Sequence, residues 1–162
     1  RASSAHQHDV ARRHPGTGAR EARSPLSCAA ARGHDGAMSA PWAPDDLAAI
    51  AAADELRIAS RRSDGTLSPP VTIWSVALHG VVLVRSAYGA DNGWYRRALR
   101  RGHGRISAGG IDHDAVFQPG DHFDQDLVDA EYLRKHARFP DAVLRTVVGE
   151  RAHELSLIVT PG

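Results

Sequence analysis

The segment Trp94–Arg101 concentrates side chains that are suited to bind an anion. It reads WYRRALRR, follows the glycine-containing loop Gly89–Gly93, and contains no acidic residue. Guanidinium groups donate paired hydrogen bonds to phosphate or carboxylate, and the first turn of a helix adds free N–H groups and a positive dipole end. The pattern indicates an anion site that includes Arg96 and Arg97. A solvated helix face explains it equally well, because all but one of the chain's 20 basic residues are arginines.

Four aromatic residues lie in this segment or in the apolar run before it. They are Trp74, Tyr88, Trp94 and Tyr95. Aromatic side chains that line a cleft can sandwich a flat ring system. Packing in the hydrophobic core is the alternative, and spacing alone favours it.

The acidic and histidine residues near position 113 resemble a metal-ligand cluster. Asp112–Asp114 reads Asp-His-Asp, and Asp121–His122 follows a few residues later. Their separations match no helical histidine pair, and both groups are predicted to lie in turns. We therefore interpret them as solvated turn residues and expect no metal site. Ser86 and Ser107 lack the GxSxG pattern of a nucleophilic serine.

The composition indicates one globular domain. The chain has 162 residues, of which 42% are hydrophobic, and a formal net charge of +1. Nucleic-acid-binding domains usually carry a clear basic excess, so nucleic acid is not an expected partner. The longest strongly apolar stretch, Val81–Val84, is far too short to cross a bilayer, so no membrane partner is expected. The single cysteine, Cys28, fits a reducing compartment, and we expect a cytoplasmic monomer or homodimer.

Residues 1–37 differ from the rest of the chain. They carry six arginines and three acidic residues, no aromatic residue, and only two branched aliphatic residues, Val10 and Leu26. Such a segment cannot bury enough apolar surface to offset the entropy lost on ordering. We predict a disordered N-terminal extension over residues 1–37, upstream of a natural start at Met38, with a genuine disordered tail as the alternative. The predicted domain is then 38–162.

Hydrophobic periodicity and turn residues predict a mixture of helices and strands. The predicted helices are Pro44–Ala53, Trp94–Arg101, a long helix opened by Asp121, and a short one from Pro140 to Gly149. The predicted strands are Glu55–Ala59, Val71–Leu78, Val81–Tyr88, Arg105–Ile111, Ala115–Gln118 and Leu155–Val159. These six strands come mostly as hairpins, which predicts an α+β fold with an antiparallel sheet.

The long helix is expected to turn an apolar stripe towards the core. The stripe consists of Phe123, Leu127, Ala130, Leu133 and Ala137, spaced three or four residues apart. Acidic residues precede basic residues along the helix, as the helix dipole prefers.

Several motifs resemble those of small split-barrel proteins that bind flavin or deazaflavin. They are the basic turn Arg62–Gly65, the strand Pro70–Trp74 that ends in an aromatic residue, and the pair Trp94-Tyr95 that opens a helix. Together with Asp54–Ile58 and Gly93–Arg96, they are similar to a subgroup of uncharacterised bacterial proteins related to flavin- and deazaflavin-dependent nitroreductases.

The resemblance implies an antiparallel six-stranded split β-barrel flanked by helices, with a cleft beside the helix that begins near Trp94. It implies an oxidoreductase in which reduced deazaflavin or FMN delivers hydride to a small electron-poor organic acceptor. The expected cofactor contacts are Arg61, Arg62, Trp74, Arg85, Ser86, Trp94, Arg96 and Arg97, and the expected catalytic proton donors are Tyr88 and Tyr95. A non-catalytic domain of the same fold that binds another small molecule is the alternative.

Overall fold

The structure, a computed structural model, describes residues 40–162. The predicted N-terminal extension lies outside these residues. The helices are α1 (Pro44–Ala52), α2 (Gly93–Arg101), α3 (Gln125–Lys135), α4 (Asp141–Leu144) and α5 (Glu150–His153). The strands are β1 (Leu56–Ser60), β2 (Val71–Ile73), β3 (Ser75–Leu78), β4 (Val81–Arg85), β5 (His103–Ala108), β6 (Ile111–Pro119) and β7 (Ser156–Pro161).

All seven strands join one antiparallel sheet in the order β2-β1-β5-β6-β7-β4-β3. The two edge strands, β2 and β3, are consecutive in the chain, and Trp74 alone separates them. The sheet is therefore a nearly closed barrel whose two edges meet at one residue. The α+β class and the antiparallel sheet are confirmed.

The predicted number of six strands is wrong, because Val71–Leu78 is two strands. Ile73 pairs with Leu56 on β1, whereas Ser75 pairs with Val84 on β4. The run is apolar on both faces, so it carries no alternation that would reveal a change of partner.

Two hairpins have boundaries that differ from the predicted ones. His79-Gly80 joins β3 to β4, as expected, with φ of +50° and +84°, the pair of positive values that a two-residue type I′ turn requires. Strand β4 ends at Arg85 rather than at Tyr88. The β5–β6 hairpin turns at Gly109-Gly110, so Asp112–Asp114 lies in a strand and not in a turn.

The sheet is apolar on both faces, and each face packs against different helices. On β4, Val82 and Val84 join the larger cluster, which includes residues of α1 and α2. Leu83, between them, points to the opposite face and packs with Val128 and Tyr132 of α3. Both clusters thus share strand β4, which is next to the edge strand β3.

The predicted apolar stripe of the long helix is wrong for most of its residues. Leu127 and Leu133 are each 46% exposed, while Val128 and Tyr132 are fully buried. The reason is that the inner face of α3 also carries Gln125 and Asp129, polar residues that apolar periodicity does not count as buried.

The ends of the C-terminal helices also differ from the expected ones. Asp124, not Asp121, caps α3, and its carboxylate accepts hydrogen bonds from the N–H groups of Asp126 and Leu127 at 3.2 Å. The single helix expected from Pro140 to Gly149 is instead the short α4, with α5 following Gly149.

Candidate functional site

A cleft of about 180 Å³ lies between β2, the segment that follows β4, and the region of α4. Trp74, Arg85, Tyr88 and Trp94 line it, together with the polar residues Thr72, Asn92 and Thr146. We call it the aromatic cleft. Four of the residues predicted to contact a cofactor or to act as proton donors thus lie around one cavity.

The three residues of β2 form one wall of the aromatic cleft. Strand β2 is an edge strand that pairs with β1 on one side only. Edge strands present backbone N–H and C=O groups that have no partner within the sheet. The cleft therefore offers main-chain donors and acceptors beside its aromatic faces.

Trp74 is held in place from the C-terminal end of α3. The His136 ring stacks on it at 4.4 Å between centroids, with 7° between planes, and Phe139 packs at 4.6 Å. The Tyr132 hydroxyl donates to the Trp74 carbonyl oxygen at 3.4 Å. Burial lowers the pKa of His136, and the neighbouring Lys135 lowers it further, so the stacked imidazole is neutral at pH 7. The Trp74 ring is thus a fixed wall.

Of the two tyrosines predicted as proton donors, only Tyr88 lines the aromatic cleft. Its side chain is 85% exposed. Tyr95 is buried next to Trp94, with the two rings edge to face at 5.8 Å, and its hydroxyl donates to the Glu154 carbonyl oxygen at 3.2 Å. Burial raises the pKa of the Tyr95 phenol. Tyr95 therefore anchors α2 to the segment before β7.

Arg85 forms the floor of the aromatic cleft, and its guanidinium is fully hydrogen-bonded. Its five N–H donors meet five acceptors, which are Ser156 Oγ at 3.0 Å, Val147 O at 2.6 Å, Gln125 Oε1 at 2.8 Å, Gln125 O at 3.3 Å, and Asp129 Oδ1. The side chain has no solvent exposure. In this arrangement Arg85 has no N–H group left for a ligand.

Asp129 balances the buried charge of Arg85. Its second oxygen accepts from the Gly149 N–H at 2.8 Å and lies 3.1 Å from His153 Nε2. Partial burial raises the pKa of this carboxyl, but the hydrogen bonds from Arg85, His153 and Gly149 outweigh that effect and hold the pKa below its ordinary value. The pair is therefore ionised and neutral overall at pH 7.

Ser86, another expected cofactor contact, shapes the loop that carries Tyr88. It is buried, and its hydroxyl donates to the Gly89 carbonyl oxygen at 2.7 Å. It is not among the residues that line the aromatic cleft.

The predicted basic residues separate into two groups. Arg61 and Arg62 line a different cavity, which shares no residue with the aromatic cleft. Arg96 is exposed and Arg97 half-buried on the first turns of α2, directly after Asn92 of the cleft. The Arg97 Nε is buried without a hydrogen-bond partner, and its Nη1 lies 3.1 Å from where a Cβ on Gly93 would be. The Arg97 side chain thus folds back towards the start of α2.

Most residues that line the cleft were not predicted as site residues, and neither was His136 behind Trp74. Asn92 lines the cleft at the N-cap of α2, where its side chain makes no capping hydrogen bond. Thr146 lies more than 50 positions after Asn92 in the chain, and no local sequence pattern predicts that it lines the cleft. In the sequence, His136 resembles the basic residues beside it at the end of the helix, whereas in the structure its ring stacks on Trp74.

Residues 40–162 hold neither a metal-binding cluster nor a membrane-spanning helix. Within that range no group of three His, Cys, Asp or Glu side chains could hold a metal ion. The helices found there are all too short or too polar to cross a membrane.

Comparison with known proteins identifies a family. A family model described as "Uncharacterized protein conserved in bacteria (DUF2255)" matches residues 46–159. The match includes every residue of the aromatic cleft and the whole of α3. No curated protein matches the chain significantly.

Proposed function

The chain belongs to the bacterial family DUF2255, and we propose that it binds the ring of FMN or a deazaflavin in the aromatic cleft and acts as an oxidoreductase on a small electron-poor organic acceptor. The proposal extends the resemblance to flavin- and deazaflavin-dependent nitroreductases. One observation carries it, namely that Trp74, Trp94 and Tyr88 surround a single cleft beside an edge strand.

The residues of the cleft fit the ring part of such a cofactor. Trp74 offers a flat apolar surface, whereas Trp94, which is 4% exposed and belongs to the core, lines the cleft with a small part of its side chain. A heteroaromatic ring has edge donors and acceptors that suit the backbone groups of β2. The volume of about 180 Å³ is below the roughly 300–1,000 Å³ of sites for drug-sized ligands. In this proposal the cleft holds the ring only, and the rest of the cofactor extends towards solvent.

The chain contributes binding, orientation and a proton, while hydride chemistry belongs to the bound cofactor. Trp74, clamped by His136 and Phe139, orients the ring without having to be ordered on binding. The exposed Tyr88 hydroxyl at the cleft is the proton donor. Arg85, paired with Asp129, adds no net charge beneath the ring.

Arg96 and Arg97 are the residues proposed to contact the cofactor's phosphate. They follow the cleft residue Asn92, and the first turn of α2 contains no acidic side chain. Two cations at the positive end of a helix are unfavourable for the helix alone, by about 0.3–1 kcal/mol each, which an anionic group would offset. We place this activity in the cytoplasm, the compartment favoured by the single cysteine.

A non-catalytic ligand-binding domain is the second candidate. Two observations favour it, namely that the Tyr95 hydroxyl is engaged by Glu154 and that the cleft is too small for a cofactor ring and a substrate together. In that case the cleft holds one planar small molecule, and no hydride is transferred.

Titration of the full chain with FMN and with a deazaflavin separates these possibilities. Binding is followed by quenching of the ligand's fluorescence, and turnover by re-oxidation of the reduced ring in the presence of a nitroaromatic or quinone acceptor. Binding with turnover supports the proposal, and binding without turnover supports the second candidate. No binding of either ring overturns the proposed oxidoreductase and leaves the second candidate, with a different planar ligand.

Two variants localise the binding. Tyr88→Ala changes a residue that is 85% exposed, so it should leave the fold intact, weaken ring binding and abolish proton-dependent turnover. Leu127→Ala, at an exposed position of α3 outside the cleft, is the matched control and should change neither. If the two variants bind the cofactor with equal affinity, the ring does not bind in the aromatic cleft.

A further inference from the structure

A second cavity, of about 290 Å³, is lined by basic side chains from separate parts of the chain. Arg61 and Arg62 come from the turn after β1, Arg101 from the last position of α2, and His103 from the first position of β5. Asp114 of β6 is the only acidic residue among those that line it. We call it the arginine cavity.

The charges of the arginine cavity are not balanced. Three guanidinium groups face the Asp114 carboxylate and the terminal carboxylate of Gly162, so these groups carry a net charge of +1 without counting His103. Asp114 is also shared, because its Oδ1 lies 3.1 Å from Arg105 Nη1 and 3.6 Å from Arg61 Nη2. Residues 38–162 carry 14 basic and 16 acidic side chains, a net charge of −2, so the positive excess is local.

The turn after β1 holds two of these arginines in place. The Arg62 N–H donates to the Thr66 carbonyl oxygen at 2.7 Å, and Arg62 Nη1 donates to Thr66 Oγ1 at 3.3 Å. Arg61 Nη1 donates to the Gly65 carbonyl oxygen at 3.2 Å, and Asp64 accepts from Thr66 at 2.7 Å. Each guanidinium thus uses one N–H for the turn and keeps others for a ligand.

The three arginines are positioned by local structure, but local structure does not neutralise their charge. Arg101 lies at the C-terminal end of α2, where a cation is favourable for the helix dipole. Arg61 and Arg62 are held by hydrogen bonds within the turn, and the carboxylate near Arg61, Asp114, is shared with Arg105. An anion bound in the cavity would add the negative charge that Asp114 alone does not supply.

We propose that the arginine cavity binds the phosphate group of a small phosphorylated compound, at a site separate from the aromatic cleft. A phosphomonoester carries about two negative charges and three terminal oxygens, which matches guanidinium groups arriving from different directions. The cavity is larger than a phosphate group alone, so part of the organic moiety fits inside it. A nucleic acid is disfavoured because the domain is net acidic and no Phe, Tyr or Trp lines the cavity to stack a base.

The site is tested on the full chain with inorganic phosphate and pyrophosphate as probes. Affinities are measured by calorimetry at constant ionic strength, with chloride as the reference salt. Arg62→Gln combined with Arg101→Gln removes two of the three arginines, and binding of both probes should weaken about tenfold for each arginine lost. Arg100→Gln, the neighbour on α2 that does not line the cavity, is the matched control and should change affinity less than twofold.

Three outcomes would overturn the proposal. One is that Arg100→Gln weakens phosphate binding as much as each cavity substitution does, which would mean that binding depends only on the overall charge. Another is an affinity for chloride equal to that for phosphate. The third is that a short DNA duplex binds more tightly than pyrophosphate and that its binding requires the same arginines. All the substituted side chains are exposed, and unchanged far-UV circular dichroism verifies that the variants are folded.

The arginine cavity and the aromatic cleft are distinguished by competition. Saturating inorganic phosphate should leave the affinity for the cofactor ring within twofold, and the Arg62→Gln/Arg101→Gln variant should bind the ring normally. If the variant loses both ligands together, the two cavities form one site and the proposed separate site is wrong.

Discussion

The substitution Asp129→Asn tests the buried pair beneath the aromatic cleft. It removes the negative charge opposite Arg85, whose side chain has no solvent exposure, and keeps the volume of the side chain. The carboxylate accepts from Arg85, Gly149 and His153, whereas an amide offers one oxygen and turns an NH₂ group towards the remaining donors. The guanidinium is then left in the interior without a counter-ion.

The expected loss of stability is about 3 kcal/mol. Breaking a buried ion pair by removing one partner costs about 3–5 kcal/mol, and the 20% exposure of the Asp129 side chain places this case at the lower end. For a domain of this size, the loss corresponds to a decrease in Tm of about 10 °C. Urea unfolding followed by circular dichroism measures the free energy, with an unchanged m-value showing that the native state stays compact.

Glu131→Gln is the matched control. Glu131 lies on the same helix with a similarly exposed carboxylate (19%), but its partner Arg134 is 72% exposed. A pair of this kind contributes below about 1 kcal/mol. If Asp129→Asn destabilises the protein no more than Glu131→Gln does, Arg85 does not depend on a buried counter-ion and the reasoning is refuted.

The pH dependence follows from the direction of the pKa shift. The pKa of Asp129 is lower in the folded state than its ordinary value of 3.8, so ionisation stabilises the fold above that value. This contribution is lost as the pH falls through the folded-state pKa. The stability difference between wild type and Asp129→Asn should therefore be full at pH 7 and shrink below about pH 4.

Gly104→Ala should prevent folding, because the new Cβ would lie 2.1 Å from the Ala59 carbonyl oxygen; the yield of soluble protein and its melting curve check this. Val128→Ala should cost about 2 kcal/mol in urea unfolding through lost burial, whereas Leu127→Ala, although it removes more atoms, should cost below about 0.5 kcal/mol because Leu127 is half-exposed. The Tyr132 phenol has its pKa raised by burial, so a spectrophotometric titration should show it ionising only as the protein unfolds, with stability falling as the pH rises above about 10.

The elements that the sequence predicted correctly are those with a pattern of their own. The helix with Trp94 and Ala98 on its inner side, and the hairpin through His79-Gly80, depend on local spacing and on turn residues. The split at Trp74 depends on which distant strand each half meets, and an apolar run does not encode that choice.

For the candidate site, the sequence predicted which types of residue take part but not how they are grouped in space. Aromatic residues and arginines stand out in the sequence, but their division between two cavities is a matter of tertiary structure. The inner face of α3 could not be predicted because the half-buried Gln125 and Asp129 are held inward by hydrogen bonds to Arg85, a residue 40 positions or more away. In a hydrophobicity pattern, such polar residues cannot be distinguished from residues on the exposed face of a helix.

The position of β7 determines when during synthesis the domain can form. It is the last strand made, yet it lies between β6 and β4 in the sheet and supplies Val159, whose carbonyl oxygen accepts from the Trp42 indole N–H at 2.9 Å. Until Ser156–Pro161 has left the ribosome, both β4 and β6 present a strand edge without a partner. The nascent chain therefore passes through a stage in which two open edges are available to another chain or to a chaperone, and only the emergence of β7 closes them.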